Sequence, residues 1–416
     1  MRYRFAILLT LLLAPSALAE NYQAGDSIVV ITKQAPIKRK SEIVSNARLV
    51  QGLKVQKVDG DWLEVFNKTR GWIHKKDVIP QAEAFEYVLR RAEEVPDDLD
   101  WRHARAIVRH REGDIDAALT DYSSIIDNDT TRWRVYYNRA LVWRKQREYD
   151  KAIADLNRAL QLKPEDALIY YRRGSSWADK GYNYEKAISD YDQAIRLDPD
   201  YGDAYASRAL AWQILNDDDK ALQDYNEALR IDPKLLMAYN NRGNIWKSKG
   251  DIEKMNRDFS KAIEIDPTYA TAYWSRGNAA QEQGDFITAI HDYKQFIRLR
   301  PQSLDLHHTI AWIRATNPHD NFRDGTEAVE YALKACELAG DEDPYYLNTL
   351  AAAYAENGEF DKAVSTQDKA IGLLRPWDYS SGEAPGLTST SDLPDYRSRL
   401  ELYRQRKAYR DKPDRR

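Results

Sequence analysis

The stretch YYNRALVW (Tyr136–Trp143) decides the fold because it recurs in register along the chain. The recurrences are YYRRGSSW (Tyr170–Trp177), YASRALAW (Tyr205–Trp212), YNNRGNIW (Tyr239–Trp246) and YWSRGNAA (Tyr273–Ala280). Prolines recur with the same period, at Pro164, Pro199, Pro233, Pro267 and Pro301, which are 35, 34, 34 and 34 residues apart. Self-similarity at a fixed period of about 20–50 residues predicts a stacked repeat architecture.

Each repeat unit reads as two helices. An aromatic first helix is followed by a turn that often carries Gly, and then by a second helix such as KAIADLNRALQL (Lys151–Leu162). Proline closes the unit, because a helix cannot continue through it. Tryptophan recurs at one position of the first helix, at Trp143, Trp177, Trp212 and Trp246, which predicts a packing position.

The spacing of aromatic residues, small residues and alanines resembles the tetratricopeptide repeat. The small residues are Ala140, Gly174, Ala209, Gly243 and Gly277. The resemblance implies a mainly α-helical protein built as a right-handed superhelix of helix pairs. We predict eight repeats over residues 99–375, bounded at 99–132, 133–166, 167–201, 202–235, 236–269, 270–303, 304–342 and 343–375. The seventh carries an insertion in its turn, around Asn317–Gly325.

The ends of a stacked array need caps that cover the exposed face of the terminal unit. Residues 82–98 begin with an amphipathic helix that we expect to cover the first repeat. Residues 376–416 form a linker rich in Pro, Gly and Ser, followed by a basic helix over Tyr396–Tyr409. This helix is predicted either to fold back as a C-terminal cap or to stay solvated.

Arginine and aspartate recur together. Six repeats have Arg just before the small residue and Asp 16 or 17 positions later: Arg105 and Asp121, Arg139 and Asp155, Arg173 and Asp190, Arg208 and Asp224, Arg242 and Asp258, Arg276 and Asp292. The last two repeats have neither, with Ile310 and Tyr331 in one and Leu350 and Thr366 in the other. We predict ion pairs that link the two helices of a repeat and serve the scaffold.

The first 19 residues have the pattern of a secretory signal peptide. Arg2 and Arg4 precede an apolar run over Phe5–Leu13, and Ala17-Leu18-Ala19 has the form of a cleavage site. The apolar run is shorter than the about 20 residues that span a bilayer. The sequence therefore predicts export to the periplasm, cell envelope or exterior, without membrane insertion once the signal is cleaved.

Residues 22–80 read as short strands with a period near two, separated by turns such as Asp59-Gly60-Asp61. Gln34–Asn46 is expected to be a long loop. This order of elements resembles bacterial SH3-like β-barrels, which commonly bind extended peptides or cell-wall peptide stems. By that resemblance Trp62 and Trp72 are candidates for an aromatic binding surface; the alternative is that both lie in the core.

The sequence indicates no catalytic site. It has no H-E-x-x-H, G-x-S-x-G, Walker-type loop or dinucleotide fingerprint, so no metal or cofactor is expected. Cys336 is the single cysteine and falls at a core position of the seventh repeat, where an inert thiol is expected. With 62 basic and 66 acidic side chains, the net charge of -4 gives no field that would attract nucleic acid.

We therefore expect a non-enzymatic scaffold that binds a protein or peptide segment on the inner face formed by the first helices. The resemblance assigns this groove to Arg134, Tyr137, Asn138, Arg144, Lys145, Tyr171, Arg172, Asn240, Asn241, Asn244, Trp274 and Asn278. The early part of this face is basic and aromatic, and the later part is polar. The alternative function is a peptidoglycan-binding module that recruits envelope enzymes.

Overall fold

The structure is a computed structural model that describes residues 23, 27–31, 34–39, 42–48, 51–59, 61–67, 69–340, 342–374 and 392–411. The predicted signal peptide and most of the predicted linker lie outside these residues. The chain divides into two compact units, Met1–Leu215 and Asn216–Arg416. The fold is mainly helical, with a small antiparallel sheet before the helical repeats.

Within the described residues of the first unit, seven strands form one sheet. They are β1 Ser27–Val30, β2 Gln34–Arg39, β3 Glu42–Arg48, β4 Gly52–Asp59, β5 Trp62–Asn67, β6 Thr69–His74 and β7 Val78–Pro80. The strand order is β3-β2-β6-β5-β4-β1-β7. The pairings between these strands are antiparallel, and β1 lies between β4 and β7.

The expectation of a long loop over Gln34–Asn46 is wrong, because this stretch forms most of the hairpin β2–β3. The pairing is irregular, with a register shift between Ile37 and Lys38. Ile37 is fully buried, while Pro36 precedes it and Lys38 and Arg39 follow it, so the stretch lacks the alternation by which a half-buried strand is recognised.

One face of the sheet holds its own apolar core, formed by Ile28, Val30, Ile37, Leu53, Val55, Leu63, Val65, Ile73 and Val78. Val29 of β1 and Ile31, which directly follows β1, alternate with these core residues and join a second cluster. There Val29 and Ile31 pack with Val88 of a following helix and with Trp101 of the one after it. The first helix therefore packs against both the sheet and the first helix pair.

The helices of the first unit are α1 Ala84–Glu94, α2 Leu99–Glu112, α3 Ile115–Asn128, α4 Trp133–Lys145, α5 Tyr149–Leu162, α6 Ala167–Asp179, α7 Tyr184–Leu197 and α8 Gly202–Ile214. Helices α2–α7 form three successive pairs. Pairing is tight where Gly174 of α6 meets Tyr191 of α7, since a Cβ at that glycine would lie 2.8 Å from the tyrosine ring.

The helices of the second unit are α9 Asp218–Ile231, α10 Leu236–Ser248, α11 Ile252–Ile265, α12 Ala270–Glu282, α13 Phe286–Leu299, α14 Leu304–Thr316, α15 Gly325–Ala339, α16 Pro344–Glu356, α17 Phe360–Leu373 and α18 Leu393–Arg404. Second helices such as α11 and α13 begin at an aspartate cap: Asp251 and Asp285 accept backbone N–H groups three residues later. The predicted insertion lies between α14 and α15, where it includes a short 3-10 turn. Among the described residues, no helix is long and apolar enough to cross a membrane.

Candidate functional site

The recurring Arg–Asp ion pairs, which we call the Arg–Asp ladder, show which of these side chains belong to the scaffold. Arg139 binds both carboxylate oxygens of Asp155, at 2.8 and 2.7 Å, and its third nitrogen donates to Ser123 of the preceding helix pair at 3.0 Å. The same two-sided arrangement joins Arg173 to Asp190 and Asn157, Arg242 to Asp258 and Asn226, and Arg276 to Asp292 and Ser260. Each of these arginines thus ties a helix pair together and also ties it to the pair before.

The predicted ion pairs are confirmed for these four repeats and for Arg105 with Asp121, at 2.9 and 2.6 Å. The two members of the remaining predicted pair, Arg208 and Asp224, belong to different units. In the seventh repeat, Ile310 is fully buried and packs in a cluster that includes Tyr331, so apolar contact replaces the ion pair there.

The repeated tryptophans are half-buried rather than fully buried. Three of the four rings are covered by the ammonium group of a lysine from the second helix: Lys151 over Trp143 at 4.7 Å, Lys186 over Trp177 at 4.4 Å and Lys254 over Trp246 at 4.3 Å. The predicted packing position is confirmed at Trp143 and Trp246, which pack against the buried apolar clusters of their repeats. The lysine adds a cation–π contact at the edge of the helix pair.

Helices α4 and α6 carry seven of the predicted binding residues, five on α4 and two on α6. Arg134 is exposed, and its guanidinium lies 4.7 Å from the Trp133 ring. Lys145 is exposed at the end of α4. Arg144 is half-buried and its charge is balanced by Asp179 of α6, at 2.6 Å. Arg134 and Lys145 are thus the exposed cations among the predicted binding residues of α4.

Arg172 forms the centre of an aromatic cluster. It is hydrogen-bonded to Tyr137, and its guanidinium lies 5.3 Å from the Tyr171 ring. The Tyr171 ring in turn lies 5.0 Å from that of Tyr201, and burial raises the pKa of Tyr201. The Nε atom of Arg172 is buried and has no hydrogen-bond partner among the described residues. We call Tyr137, Tyr171, Arg172 and Tyr201 the tyrosine–arginine cluster.

Asn138 is bound within the scaffold. Its amide nitrogen lies 2.8 Å from Nε2 of His103 on α2. Burial and the positive charge of Arg132 together lower the pKa of His103 to about 4, so the imidazole is neutral at pH 7. A neutral ring nitrogen can accept the hydrogen bond from the asparagine amide. Asn138 therefore positions α2 and α4 in addition to any contact with a partner.

The predicted polar face of α10 and α12 is only partly available. Asn240 is 4% exposed, so its predicted place on an open surface is corrected to a buried one. Asn241 is hydrogen-bonded to Tyr225, and Asn278 accepts a hydrogen bond from the Tyr293 hydroxyl at 2.8 Å. Trp274 is 46% exposed, and Asn244 is half-buried. Trp274 and Asn244 are thus the more accessible members of this set.

The two tryptophans of the sheet share a face. Trp62 pairs across the strands with His74, and Trp72 pairs with Glu64 two residues along, so all four side chains lie on one side. Leu63 between them belongs to the core on the other side. Both tryptophans are half-buried, and the Lys38 ammonium lies 5.5 Å from the Trp62 ring.

Sequence reasoning missed a third aromatic surface, on α14 and α16. His308 lies 4.4 Å from Tyr345 and 6.3 Å from Trp312, measured between ring centroids. Counting along α14 would have found it, since Trp312 is the ninth residue of the helix, as Leu141 is of α4. Among the described residues, no group of three or more His, Cys, Asp or Glu side chains could hold a metal ion.

Family models described as tetratricopeptide repeat match residues 133–166, 178–235, 238–269 and 270–303. The chain contains tetratricopeptide repeats. The matched repeats cover α4, α5, α7–α13 and part of α6, and the match at 270–303 spans the pair α12–α13. A comparison with curated proteins found no match.

Solved structures with helical repeats resemble the chain at low identity. A MamA crystal structure is 25% identical, with a TM-score of 0.37 over 40% of this chain and 96% of the other. YrrB, described as a tetratricopeptide repeat protein with an unusual peptide-binding site, is 22% identical, with a TM-score of 0.38 over 45% and 97%. A tetratricopeptide repeat protein from Parabacteroides merdae is 15% identical, with a TM-score of 0.42 over 77% and 99%.

Proposed function

We propose that this protein is a non-enzymatic scaffold that binds an extended protein segment on the inner face of α4 and α6. The observation that carries the proposal is the tyrosine–arginine cluster between two exposed cations. Arg134 and Lys145 lie near the two ends of α4, and Tyr137 lies between them. Arginine and tyrosine side chains grouped in this way are typical of the anchor positions of protein interfaces.

The charges of this surface favour an acidic partner segment. The Arg134 and Lys145 side chains are exposed, so their charges are accessible to the carboxylates of a partner. The buried Nε of Arg172 can gain a hydrogen bond if the cluster opens to admit a carbonyl or carboxylate oxygen. The tyrosine rings of the cluster offer apolar area beside these donors.

Export is part of the proposal and rests on the sequence of residues 1–19 alone. It is tested by expressing the full chain in a bacterial host and determining the N-terminus of the mature protein. A mature chain that begins at Glu20 and is recovered outside the cytoplasm supports export. An intact Met1 in the cytoplasm contradicts it.

The binding proposal is tested with peptides rich in Asp and Tyr, measured by fluorescence anisotropy. Reversing two charges, with Arg134→Glu and Lys145→Glu, should weaken binding at least about tenfold, because each cation contributes an attraction that becomes a repulsion. The matched control reverses Lys54 and Arg196, which are exposed elsewhere in the same unit. Equal loss in both double variants would contradict a local site and indicate an effect of net charge.

A second function is proposed for the sheet because Trp62 and Trp72 lie together on its outward face. By the resemblance to bacterial SH3-like domains, this face would bind cell-wall peptide and the repeats would recruit an envelope enzyme. Full-length protein is compared with a Trp62→Ala, Trp72→Ala variant in a pull-down with purified peptidoglycan. Retention of wild type alone supports this function, and no retention of wild type contradicts it.

A further inference from the structure

The C-terminal segment of the chain folds back onto the last two helix pairs. Helix α18 packs against α17 through Tyr396, Leu400 and Tyr403, which are 4%, 5% and 0% exposed. After α18 ends at Arg404, residues 405–411 run back to the end of α14, where the backbone N–H of Asp411 donates to the carbonyl oxygen of Thr316 at 2.8 Å. The segment therefore does more than cap the final helix.

Successive side chains at the end of this segment each have a partner. The indole Nε1 of Trp312 donates to the carboxylate of Asp411 at 3.0 Å. The guanidinium of Arg410 lies 2.7 Å from the carboxylate of Glu356. The ring of Tyr409 lies 6.0 Å from that of Trp312. An aromatic, a basic and an acidic residue are thus recognised in order.

Arg399 of α18 holds the aromatic part of this arrangement together. Its guanidinium lies 4.6 Å from the Tyr409 ring and 5.1 Å from the Trp312 ring, and it donates to Asn348 of α16 at 2.9 Å. The tyrosine is thereby placed next to a cation that is itself fixed on α16.

The receiving residues occupy helix positions that also hold residues assigned to the groove: Asn244 and Asn278 are the ninth residues of α10 and α12, and Lys145 is the thirteenth of α4. Counted from the first helical residue, Trp312 is the ninth residue of α14, and Thr316 and Glu356 are the thirteenth of α14 and α16. Residues 405–411 therefore lie where a partner segment is expected in the other repeats.

We propose that the inner face of α14 and α16 is a second peptide-binding site, specific for an aromatic–basic–acidic segment, and that Tyr409-Arg410-Asp411 fills it as an internal ligand. The site lies in the second unit and is separate from the tyrosine–arginine cluster, so it goes beyond the function proposed above. Arg410 is 38% exposed in its ion pair, and partly exposed pairs of this kind are weak. The segment stays bound because it is part of the chain, which gives it an effective concentration of about 1 mM.

The test uses the full-length protein and a fluorescent peptide with the sequence of residues 405–411, QRKAYRD. A release variant carries Tyr409→Ala, Arg410→Ala and Asp411→Ala in the chain, which vacates the site. Fluorescence anisotropy should show that this variant binds the peptide at least about tenfold more tightly than wild type, where the internal segment competes. Asp411→Ala alone is a milder release variant, with a smaller gain expected.

Two controls separate recognition from nonspecific binding. Arg406→Ala with Lys407→Ala changes two exposed cations of the same segment and should bind the peptide as weakly as wild type. Trp312→Phe in the release variant keeps a ring but removes the Nε1 donor, and should weaken peptide binding about tenfold. The Arg134→Glu, Lys145→Glu substitutions should leave binding of this peptide unchanged. Failure of the second binding site can therefore be told apart from failure of the site on α4 and α6.

The proposal is overturned if wild type and both release variants bind the peptide equally. It is also overturned if Trp312→Phe leaves the affinity of the release variant unchanged. Circular dichroism of each variant checks that the helices remain, and the milder Asp411→Ala variant decides the question if the triple variant loses helix.

Discussion

Two nitrogens of Arg173 donate hydrogen bonds to the carboxylate of Asp190, at 2.8 and 2.5 Å. Its third nitrogen donates to the side-chain oxygen of Asn157 in the preceding helix pair, at 2.7 Å. Asp190 is 4% exposed, while the Arg173 side chain is 23% exposed. Burial raises the pKa of Asp190, and the guanidinium lowers it. The buried negative charge of Asp190 is therefore stabilised by Arg173.

The first prediction follows from that dependence. Arg173→Met should lower the free energy of unfolding by about 3–5 kcal/mol at pH 7, because it leaves a buried carboxylate without its cation. The single Asp190→Asn variant and the double variant complete a cycle measured by urea denaturation. A strong favourable coupling is expected between the two residues. Additive effects of the two substitutions would contradict an ion pair between Arg173 and Asp190. The exposed pair of Arg257 and Glu253 is the control, with an expected coupling energy of about 0–1 kcal/mol.

The same variant should have a distinctive pH dependence. Without Arg173, burial holds the pKa of Asp190 above its value in the unfolded chain. The destabilisation is then fully present above the folded-state pKa and is relieved as the pH falls below it. The difference between wild type and Arg173→Met should shrink from pH 7 to pH 4. A difference that stays constant over this range would show that the loss is one of packing.

A second prediction concerns the close approach of paired helices. Gly174→Ala should cost about 1–3 kcal/mol, because the new methyl group would lie 2.8 Å from the Tyr191 ring. Gly372→Ala is the matched control: this glycine lies in α17 with nothing within 4 Å of the added carbon, so the substitution should be neutral or stabilise by up to about 1 kcal/mol. Thermal unfolding followed by circular dichroism measures both. Equal losses would contradict the close-approach argument.

Cys336 gives a third prediction. The side chain is 4% exposed within the apolar cluster of α14–α17, as its repeat position predicted. Ellman's reagent should therefore react with the native protein at least about a hundredfold more slowly than with the unfolded chain, because reaction needs an opening of the second unit. Cys336→Ala should abolish the slow reaction. Rapid labelling of the native protein would show that the cluster is open.

The repeat could be predicted from the sequence because the residues that its packing requires recur at a fixed period. Gly174, Gly243 and Gly277 stand at one position, and in each case the added Cβ would meet an aromatic ring of the second helix within 2.8 Å. A constraint that recurs in several units leaves a signal in a single sequence. The hairpin over Gln34–Arg48 occurs once, and its polar residues carry no comparable periodic pattern.

The candidate site was less predictable, since helix position tells which way a side chain points but not what it touches. Asn138 and Arg144 were assigned to the groove by their helix positions, yet His103 and Asp179 bind them. Trp312 could have been found by its helix position, but its partner, Asp411, is 99 residues away along the chain. Contacts between distant segments of this kind are set by tertiary folding and leave no local pattern.

The last prediction concerns His308, which is packed among Trp312, Tyr345 and Tyr346. Burial lowers its pKa to about 4, below the value of about 6.5 expected in an unfolded chain. The neutral imidazole therefore contributes stability that is fully present above pH 6.5 and is lost as the pH falls toward 4, by up to about 3 kcal/mol. His308→Phe keeps an aromatic ring and should reduce the loss of stability between pH 7 and pH 4.5, as measured by urea denaturation. The matched variant His291→Phe changes an exposed histidine of the same unit. If both variants lose stability with pH as steeply as wild type, His308 is not the group whose protonation destabilises the second unit.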